Sequence, residues 1–509
     1  MIYDGIILTD AVWDARIRPL GAYRIADMLR SHGYNILVID RISFLSEHEL
    51  LDLLDMVIST KTLFLGYSSS LFFDSSRPGI VSPFNEGDDR LIRMNQHVLS
   101  KFPDIKIIYG GSFSHHMIDH GRHHNFHIDY IVRGMGETMM LDLVSHIKNK
   151  TEPNYSKIIN PHDCQEHNMY LIDYDMKGAM YDFRHSNQCW VESDLLLPNE
   201  SLPIEVSRGC IFQCAFCTYP LLGKNKSDLS YLRHEDHIYQ DIVSNYEQYG
   251  ITNYVIIDDT FNHRTDNIER MLKIRDKSKI DLSFMGSCRL DLLGAKPEQM
   301  QLLRDMNFNA FFFGIESLHY PAAKAIGKGG LPEKNVETLY KLRDCYNETN
   351  THLAINAGYI IGLPGETPEI AEHWIDIMSK DDFPMDNLNL SCLSIGNGAY
   401  GESKMFSNPA KYGYEITPSG MYSDWKNDIW TRKEALAFTI EKTLSLYHSG
   451  RKKLDAYSAA GLTRLGFDFN KLTKTPHKEV AESEEIKTLV RQDSETYFSR
   501  LKDIIQKTS

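Results

Sequence analysis

Short apolar runs alternate with segments of helical spacing along residues 1–150. Apolar positions over residues 20–32 predict an amphipathic helix that ends at Gly33. Strands are predicted at residues 5–9, 35–40, 63–68, 105–111 and 128–132. This alternation indicates an α/β fold in which helices cover a parallel sheet. Residues 73–90 are rich in Ser, Pro, Gly and Asp, and we expect a surface loop there.

A second series of strands and helices begins at about residue 203. Strands are predicted at residues 204–207, 253–257, 282–287, 310–315, 354–361 and 388–393. Six strands separated by helix-length segments suffice for a partial (β/α)6 barrel. The rhythm fades after residue 400, where helices are predicted at 432–448 and 484–507. We therefore predict a Rossmann-like domain (1–150), a proline-containing linker (151–202), a partial barrel (203–400) and a mainly helical C-terminal domain (401–509).

Composition narrows the class of protein. A chain of 509 residues fits about three domains, and its 42% apolar and 24% charged residues are typical of globular proteins. The formal charge of −14, from 55 basic and 69 acidic residues, argues against binding a large nucleic acid except through a local basic patch. The tightest basic cluster of the C-terminal region is Arg451-Lys452-Lys453.

The sequence shows no basic, apolar leader at its start and no apolar run of about eighteen residues. We therefore expect a cytoplasmic protein without a membrane span. Eight cysteines are too few for a disulfide scaffold, and in a reducing compartment clustered thiols are more often ligands or catalysts.

Three cysteines form the motif C-x3-C-x2-C at Cys210, Cys214 and Cys217, directly after a predicted strand. Thiolates suit iron and zinc, and three of them can hold three irons of a cubane cluster while the fourth iron stays open. A structural zinc site normally has a fourth Cys or His, and residues 208–222 contain no histidine. Zinc and a chance grouping of core cysteines remain the alternatives. The other five cysteines are scattered singly, so we predict one cluster.

This motif and the strand ends that follow it resemble the radical S-adenosylmethionine (SAM) enzymes over residues 203–400. The resemblance implies that Cys210, Cys214 and Cys217 bind a 4Fe-4S cluster whose open iron is chelated by the methionine moiety of SAM. One electron from the cluster would then cleave SAM to methionine and a 5′-deoxyadenosyl radical, which abstracts a substrate hydrogen. Phe216, just before the third cysteine, would lie near the adenine.

The resemblance also assigns side chains at the ends of the later strands to SAM. These are Asp258 and Asp259 for the amino group, Arg289 for the carboxylate, Glu316 and Ser317 for the ribose or carboxylate, and Ile360 and Gly362 for the adenine. The sequence lacks the family's usual Gly-Gly-Glu before the amino-group site. Helix capping remains an alternative for the two aspartates, and a surface ion pair remains one for Arg289.

Loops of the N-terminal domain resemble those of cobalamin-binding domains. They are Ser68-Ser69-Ser70-Leu71 and Gly110-Gly111-Ser112, with Ser69, Gly110 and Gly111 as candidate cofactor residues. The Asp-x-His-x-x-Gly motif that supplies a cobalt ligand in many such domains is absent from residues 10–21. Cobalamin would then bind without a protein histidine, or the domain would serve substrate recognition. Arg16 and Arg18 stand in the same loop and could contact a phosphate or the corrin amides.

Six histidines fall within a short segment that is either a metal site or a solvated helix and loop. They are His115, His116, His120, His123, His124 and His127.

Together these features predict a radical SAM enzyme, with a cobalamin-dependent methylase of an unactivated centre as the leading function. A cobalamin-independent isomerase, cyclase or oxidase is the first alternative, and a non-catalytic cobalamin or iron–sulfur regulatory module is the second. The expected partners are a small-molecule or peptide substrate and an electron donor such as flavodoxin or ferredoxin. The resemblance assigns no catalytic side chain beyond the cofactor contacts.

Overall fold

The structure is a computed structural model. It describes residues 2–10, 17–68, 90–111, 127–151, 156–158, 169–173, 181–197, 199–218, 229–398, 401–417 and 423–508. Ser69, Arg16, five of the six clustered histidines and nearly all of the predicted 73–90 loop therefore lie outside the described residues. Arg90 itself begins a helix.

The first sheet has seven strands in the order β2-β1-β3-β4-β5-β7-β6. Their bounds are β1 Gly5–Leu8, β2 Ile36–Ile39, β3 Phe64–Ser68, β4 Lys106–Gly110, β5 Tyr130–Arg133, β6 Ser156–Ile158 and β7 Met169–Asp173. All neighbouring pairs are parallel except β6 with β7. Both β6 and β7 lie in the segment predicted as a linker, so this sheet continues past residue 150.

Helices cover both faces of the first sheet, as the alternation predicts. Leu20–Ser31 and Glu137–Asn149 pack on one face, and Glu47–Val57 and Arg90–Lys101 pack on the other. Adjacent strand residues such as Ile6 and Ile7 belong to opposite cores because their side chains alternate between the faces. The fold therefore buries the strands on both sides.

The second sheet is fully parallel, with its six strands in chain order. They are β8 Ser201–Ile204, β9 Asn253–Ile256, β10 Ser283–Cys288, β11 Phe308–Glu316, β12 Ala354–Ile361 and β13 Asn387–Cys392. The connecting helices are Glu235–Tyr249, Thr265–Ser278, Leu290–Ala295, Glu298–Asp305, Tyr320–Ala325, Pro332–Asn347 and Pro368–Met378. This sequential order confirms the predicted partial (β/α)6 barrel.

The C-terminal region combines helices with two small hairpins. The helices are Lys404–Ser407, Arg432–His448, Ala456–Thr463, Phe469–Leu472, His477–Glu482 and Glu484–Thr508, and the paired short strands are Asn397–Gly398 with Gly401–Glu402 and Glu415–Thr417 with Asp424–Lys426. Short 3-10 helices lie at Ile42–Phe44, Phe183–His185, Glu192–Asp194, Phe261–His263 and Pro409–Tyr412. Among all helices in the described part of the chain, none has the length and apolarity to cross a membrane.

The last helix returns to the first sheet instead of staying with the barrel. Tyr497, Phe498 and Leu501 are buried in the same core as Leu37 and Ile39 of β2. The two ends of the chain are therefore packed together, a contact that no local pattern predicts.

Candidate functional site

The three cysteines lie on a loop that follows β8, at the carboxyl edge of the barrel. Their thiols are partly exposed, and none forms a disulfide. The backbone of this loop is held from two sides: Ala215 donates to the Ile326 carbonyl (2.8 Å) and accepts from the Met405 amide (2.9 Å). The Lys404 ammonium also donates to the Gln213 carbonyl (3.2 Å). The loop is thus fixed by the barrel and by the C-terminal region.

The donor set fits an iron–sulfur cluster better than a single metal ion. In the described part of the chain, no three His, Cys, Asp or Glu side chains converge as one ion requires. A cubane instead needs three thiols placed around it, because each cysteine binds a different iron of the same cluster. Cys210 Sγ lies 3.6 Å from Thr260 Oγ1, and Arg289 Nη1 donates to Cys214 Sγ at 3.5 Å. These contacts orient two of the three candidate ligands.

Arg289 is buried and engaged on several sides. Its Nε and Nη2 donate to the Asp291 carboxylate (2.9 and 2.7 Å), Nη1 reaches Cys214, and the guanidinium lies over the Phe212 ring at 4.2 Å. The expected pairing with the SAM carboxylate therefore stays a prediction. In this structure Arg289 is an ion-pair residue, as its alternative proposed, although a buried one that contacts a cysteine ligand.

The two aspartates after β9 have different environments. Asp258 is buried and accepts from the Val206 amide (2.8 Å) and Ser207 Oγ (2.6 Å), so both its oxygens hold the start of the cysteine loop. Burial raises the pKa of Asp258 to about 7. Asp259 is exposed to solvent but surrounded by protein atoms, and this partial desolvation raises its pKa to about 6. Of the pair, only Asp259 is exposed to solvent.

Glu316 stands at the end of β11 in a left-handed backbone conformation (φ 65°), at a bulge against β12. Such conformations cost energy and cluster at functional sites. Its Oε1 pairs with Lys328 Nζ at 3.2 Å, and Lys328 also donates to the Gly314 carbonyl (2.8 Å). A Cβ on Gly314 would lie 2.4 Å from Glu316 Oε1, so a side chain at this position would displace the Glu316 carboxylate.

Ser317 belongs to a buried polar network. Its Oγ donates to Glu366 Oε1 (2.5 Å), which also accepts from the Tyr359 hydroxyl (2.6 Å). Glu366 is fully buried, its Oε2 has no partner, and burial raises the pKa of this carboxyl to about 7. The network fixes Ser317, because its hydroxyl also accepts from the His319 amide (2.9 Å).

Gly362 has a packing function in this structure. It has φ 95°, and a Cβ there would lie 2.5 Å from the Trp425 ring. The missing side chain thus admits an indole from the C-terminal region, whereas the sequence pattern suggests room for a nucleoside. Ile360 is buried in the core. Phe216 is partly exposed and packs against this core. Adenine contacts of Phe216, Ile360 and Gly362 stay predictions.

A separate cavity of about 230 Å³ lies at the carboxyl edge of the first sheet. Gly110 and Gly111 line it, as do Gly66, Gly134 and Gly136. None of the described lining residues is a histidine. The cavity is therefore shaped mostly by backbone and apolar side chains, at the edge where parallel sheets bind ligands.

Arg208 connects this cavity to the cysteine loop. It lines the cavity two residues before Cys210, donates to Glu137 Oε1 at 2.7 Å, and forms a bidentate pair with Glu205 (2.9 and 2.8 Å). Its guanidinium also lies 4.5 Å from the Phe183 ring centre. One buried cation thus joins the first sheet's helix Glu137–Asn149 to the barrel.

Arg18 does not take the predicted part in a cofactor site. It is fully buried and donates through Nε and Nη2 to Glu200 (2.5 and 3.1 Å). Its Nη1 donates to the Tyr23 hydroxyl (2.8 Å), and it does not line the cavity. This corrects the suggested phosphate or corrin contact, because the donors are already used within the protein.

Residues 204–377 match the protein family described as the Radical SAM superfamily. The chain carries a radical SAM domain. The matched range begins with the last residue of β8 and includes the three cysteines and β9 to β12. The resemblance seen in the sequence is thereby confirmed for the barrel.

Several relatives match parts of the chain. An uncharacterized methyltransferase from Pyrococcus horikoshii is 28% identical over 50% of this chain and 53% of its own length. The hopanoid C-2 methylase of Rhodopseudomonas palustris is 27% identical over 37% of this chain and 34% of its own. The anaerobic magnesium-protoporphyrin IX monomethyl ester cyclase of Synechocystis sp. is 22% identical over 64% and 62%. The chain thus spans about half or less of the first two relatives' length.

Solved structures extend the likeness of fold beyond the radical SAM domain. The methyltransferase TsrM from Kitasatospora setae matches with a TM-score of 0.60 and 15% identity, over 82% of this chain and 79% of that one. The cobalamin-dependent SAM radical enzyme OxsB matches with a TM-score of 0.57 and 12% identity, over 100% and 81%. These matches confirm the predicted fold class of the whole chain.

Several functional candidates were missed in the sequence. Arg208 and Glu366 stand inside the motifs that carry the resemblance, but Glu137 and Ser317, one partner of each, lie 71 and 49 residues away in the chain. Thr260 follows the two aspartates and contacts Cys210. Their positions beside recognised motifs could have indicated these residues in the sequence. Their burial and their hydrogen-bond partners could be known only from the fold.

Proposed function

We propose that the chain is a radical SAM enzyme in which Cys210, Cys214 and Cys217 hold a 4Fe-4S cluster with one open iron. Three features support this proposal. The thiols are partly exposed and on one fixed loop, a cation lies beside Cys214, and residues 204–377 match the family. When bound, the cluster would supply the electron that cleaves a carbon–sulfur bond of SAM.

Asp259 and Glu316 are the side chains we propose for SAM itself. An ammonium group needs acceptors, and Asp259 is exposed and close enough to Cys210 to act on it electrostatically. Glu316 lies in its strained conformation at the adjoining strand end, with Lys328 beside it. Asp258 and Arg289 act as positioning residues: one holds the backbone at Val206 and Ser207, and the other holds Cys214 Sγ.

We further propose that cobalamin occupies the cavity of the first sheet and that the reaction is methylation of an unactivated centre. The observation that carries this proposal is the cavity itself, which adjoins the cysteine loop through Arg208 and Glu137. Glycines on its walls leave room for a large ligand, and binding would use no histidine of the described lining. Names of relatives and of structures with a similar fold, a methylase and cobalamin-dependent enzymes among them, favour the same reaction.

A cyclase is the second candidate function. The cyclase relative matches 64% of this chain, a larger share than either methyltransferase relative covers. Cyclisation would need the same cysteine loop, and a methyl group from SAM would not appear in the product. In both cases the enzyme needs a substrate and a reductant, for which we propose a small molecule or peptide and a flavodoxin or ferredoxin.

The test is anaerobic reconstitution with iron and sulfide, followed by assay of 5′-deoxyadenosine release under reductant. We expect about four irons per chain. Cys214→Ala should lose the cluster spectrum and lower 5′-deoxyadenosine release by more than about 100-fold, because outer-shell changes alone cost about 10–100-fold. Cys189→Ala is the matched control, since Cys189 is a single exposed thiol outside the loop. A colourless protein that binds one zinc would refute the proposal.

A separate experiment tests the cobalamin proposal. Protein produced with cobalamin should retain cobalt, in the wild type and in Cys214→Ala alike, because the cavity and the cluster loop are separate binding sites. Cobalt-free protein with normal 5′-deoxyadenosine release would reject the methylase and favour the cyclase. Cobalt binding without any 5′-deoxyadenosine release would instead favour a regulatory module.

A further inference from the structure

A second cavity, of about 120 Å³, lies at the opposite edge of the barrel from the cysteine loop. It surrounds Asn387, the first residue of β13, whereas the cysteine loop follows the carboxyl end of β8. Since β13 has six residues, its two ends lie about 20 Å apart. This cavity therefore belongs to neither of the cofactor sites proposed above.

The cavity is strongly basic. Its cationic lining residues are Lys380, Arg451, Lys452, Lys453 and Lys474, and its acidic ones are Asp381 and Asp386. The carboxylate of Asp386 is already bound, because its Oδ2 accepts from Arg343 Nη2 (2.8 Å) and from the Ile355 amide (2.7 Å). The five cationic side chains therefore outnumber the remaining carboxylate, that of Asp381. This local excess of positive charge occurs in a chain whose net charge is −14.

Asn387 provides an independent indication of a ligand. Only 2% of its surface is exposed, yet neither its Nδ2 nor its Oδ1 has a hydrogen-bond partner. Buried amides in native proteins are nearly always paired, so an unpaired one that lines a cavity needs an explanation. A ligand that accepts from Nδ2 and donates to Oδ1 would satisfy both atoms.

The basic segment is held in place by its backbone. Lys452 N donates to the Leu446 carbonyl (3.0 Å), the Lys452 carbonyl accepts from His477 N (2.8 Å), and Leu454 N donates to the Thr475 carbonyl (2.9 Å). The backbone of this segment is therefore fixed where the C-terminal helices meet the barrel, and a fixed backbone limits the entropy that the segment loses on binding.

We propose that this cavity binds a phosphate group that carries or adjoins a hydroxyl. Phosphate oxygens suit a ring of lysines and arginine, and a P–OH or neighbouring sugar hydroxyl supplies the donor for Asn387 Oδ1. A water molecule needs about 15 Å³ of cavity volume, so this cavity can hold a ligand of several heavy atoms. Inorganic phosphate and a sugar phosphate share this chemistry.

Isothermal titration calorimetry of the full-length reconstituted protein, in chloride buffer, tests the proposal. The probes are inorganic phosphate, ribose 5-phosphate and sulfate, which is also a dianion but has no hydroxyl to donate. We expect saturable binding of phosphate at one site and at least tenfold weaker binding of sulfate. Tighter binding of ribose 5-phosphate than of phosphate would identify the ligand as a sugar phosphate. Equal affinity for sulfate and phosphate, or no saturable binding, would overturn the proposal.

Two variants separate a built site from diffuse charge attraction. Asn387→Leu should weaken phosphate binding by about 10–100-fold, the range for hydrogen bonds to a charged group, and should remove the preference over sulfate. Lys474→Glu changes an exposed side chain, so this variant should fold even if Asn387→Leu does not. It should weaken phosphate binding about tenfold. Lys471→Glu, exposed one turn away and outside the cavity lining, is the matched control. Equal loss in Lys471→Glu and Lys474→Glu would show a long-range charge effect and refute the site.

Discussion

The two sheet edges at which we propose that ligands bind are built in opposite ways. At the carboxyl edge of the first sheet, six glycines line a cavity, and the space exists because side chains are missing. At the carboxyl edge of the barrel, ionisable side chains crowd the strand ends: Asp258, Arg289 and Glu366 are all buried there. The first edge provides open space for a ligand, and the second provides charged side chains and thiol ligands.

This difference determines how each edge can be detected. Three cysteines within eight residues report their chemistry in the sequence itself. A glycine-lined cavity has no comparable motif, because its walls come from residues spread between Ile7 and Arg208. The two edges are nevertheless joined, since Arg208 binds a glutamate of each domain. Three substitutions test the connection, the charged edge and the open edge in turn.

Arg208→Met should have the largest effect on stability. It leaves Glu137 buried without its cation, whereas Glu205 keeps its pair with Arg24 (3.1 Å), and breaking a buried pair costs about 3–5 kcal/mol. Urea denaturation measures the loss. A double-mutant cycle with Glu137→Gln should give a coupling of about 1–3 kcal/mol.

The control for this cycle is Lys341→Met, which removes an exposed ion pair with Glu337 and should cost less than about 1 kcal/mol. Additive effects of Arg208→Met and Glu137→Gln would mean that this ion pair does not couple the two domains. In that case the comparison of two joined edges would fail.

Much of the fold follows from local pattern. The strand and helix rhythm predicted both sheets, and the helix Arg432–His448 coincides with its predicted range. The exceptions are long-range. β6 and β7 are short strands between proline-containing segments, and they become strands by pairing with each other and with β5. Tyr497 and Phe498 join a core that contains Leu37 and Ile39, more than 450 positions earlier, which no window of sequence contains.

The site was predictable to the extent that its chemistry is local. The cysteine spacing is a property of eight consecutive residues, and it identified the loop. Glu200, Ser207 and Trp425, which contact Arg18, Asp258 and Gly362 respectively, lie between 51 and 182 residues away from them. Such partners decide whether a polar or small residue faces a ligand or the protein. Sequence alone could not distinguish Asp258 from Asp259, since only one of two adjacent side chains turns inward.

Glu366→Gln should change the pH dependence of stability. Burial raises the pKa of Glu366 to about 7 from an ordinary 4.5, so the folded protein binds one more proton than the unfolded chain between these values. The free energy of unfolding therefore falls as pH rises through this window, by about 3 kcal/mol for this group. Glutamine cannot titrate and retains an oxygen for Ser317 and Tyr359.

Urea denaturation at pH 4.5 and pH 7.5 measures this effect. The variant should gain about 3 kcal/mol relative to the wild type at pH 7.5 when the two are matched at pH 4.5. Asp258, whose raised pKa acts in the same direction, stays present in both proteins and cancels in the difference. Parallel pH profiles would show that Glu366 is not the strained charge of this edge.

Gly110→Ala tests the open edge and should have the smallest effect. A Cβ there would lie 3.5 Å from the Val132 carbonyl oxygen, an ordinary contact, so the fold should tolerate it. The new methyl group would occupy the cavity wall, and we expect roughly tenfold weaker binding of hydroxocobalamin in a spectral titration, since overpacking costs about 1–3 kcal/mol. Gly358→Ala, on a barrel strand outside this cavity and with a nearest contact of 3.4 Å, should leave that affinity unchanged. If both variants bind as the wild type does, cobalamin does not use the glycine-lined space, and the first edge has some other ligand.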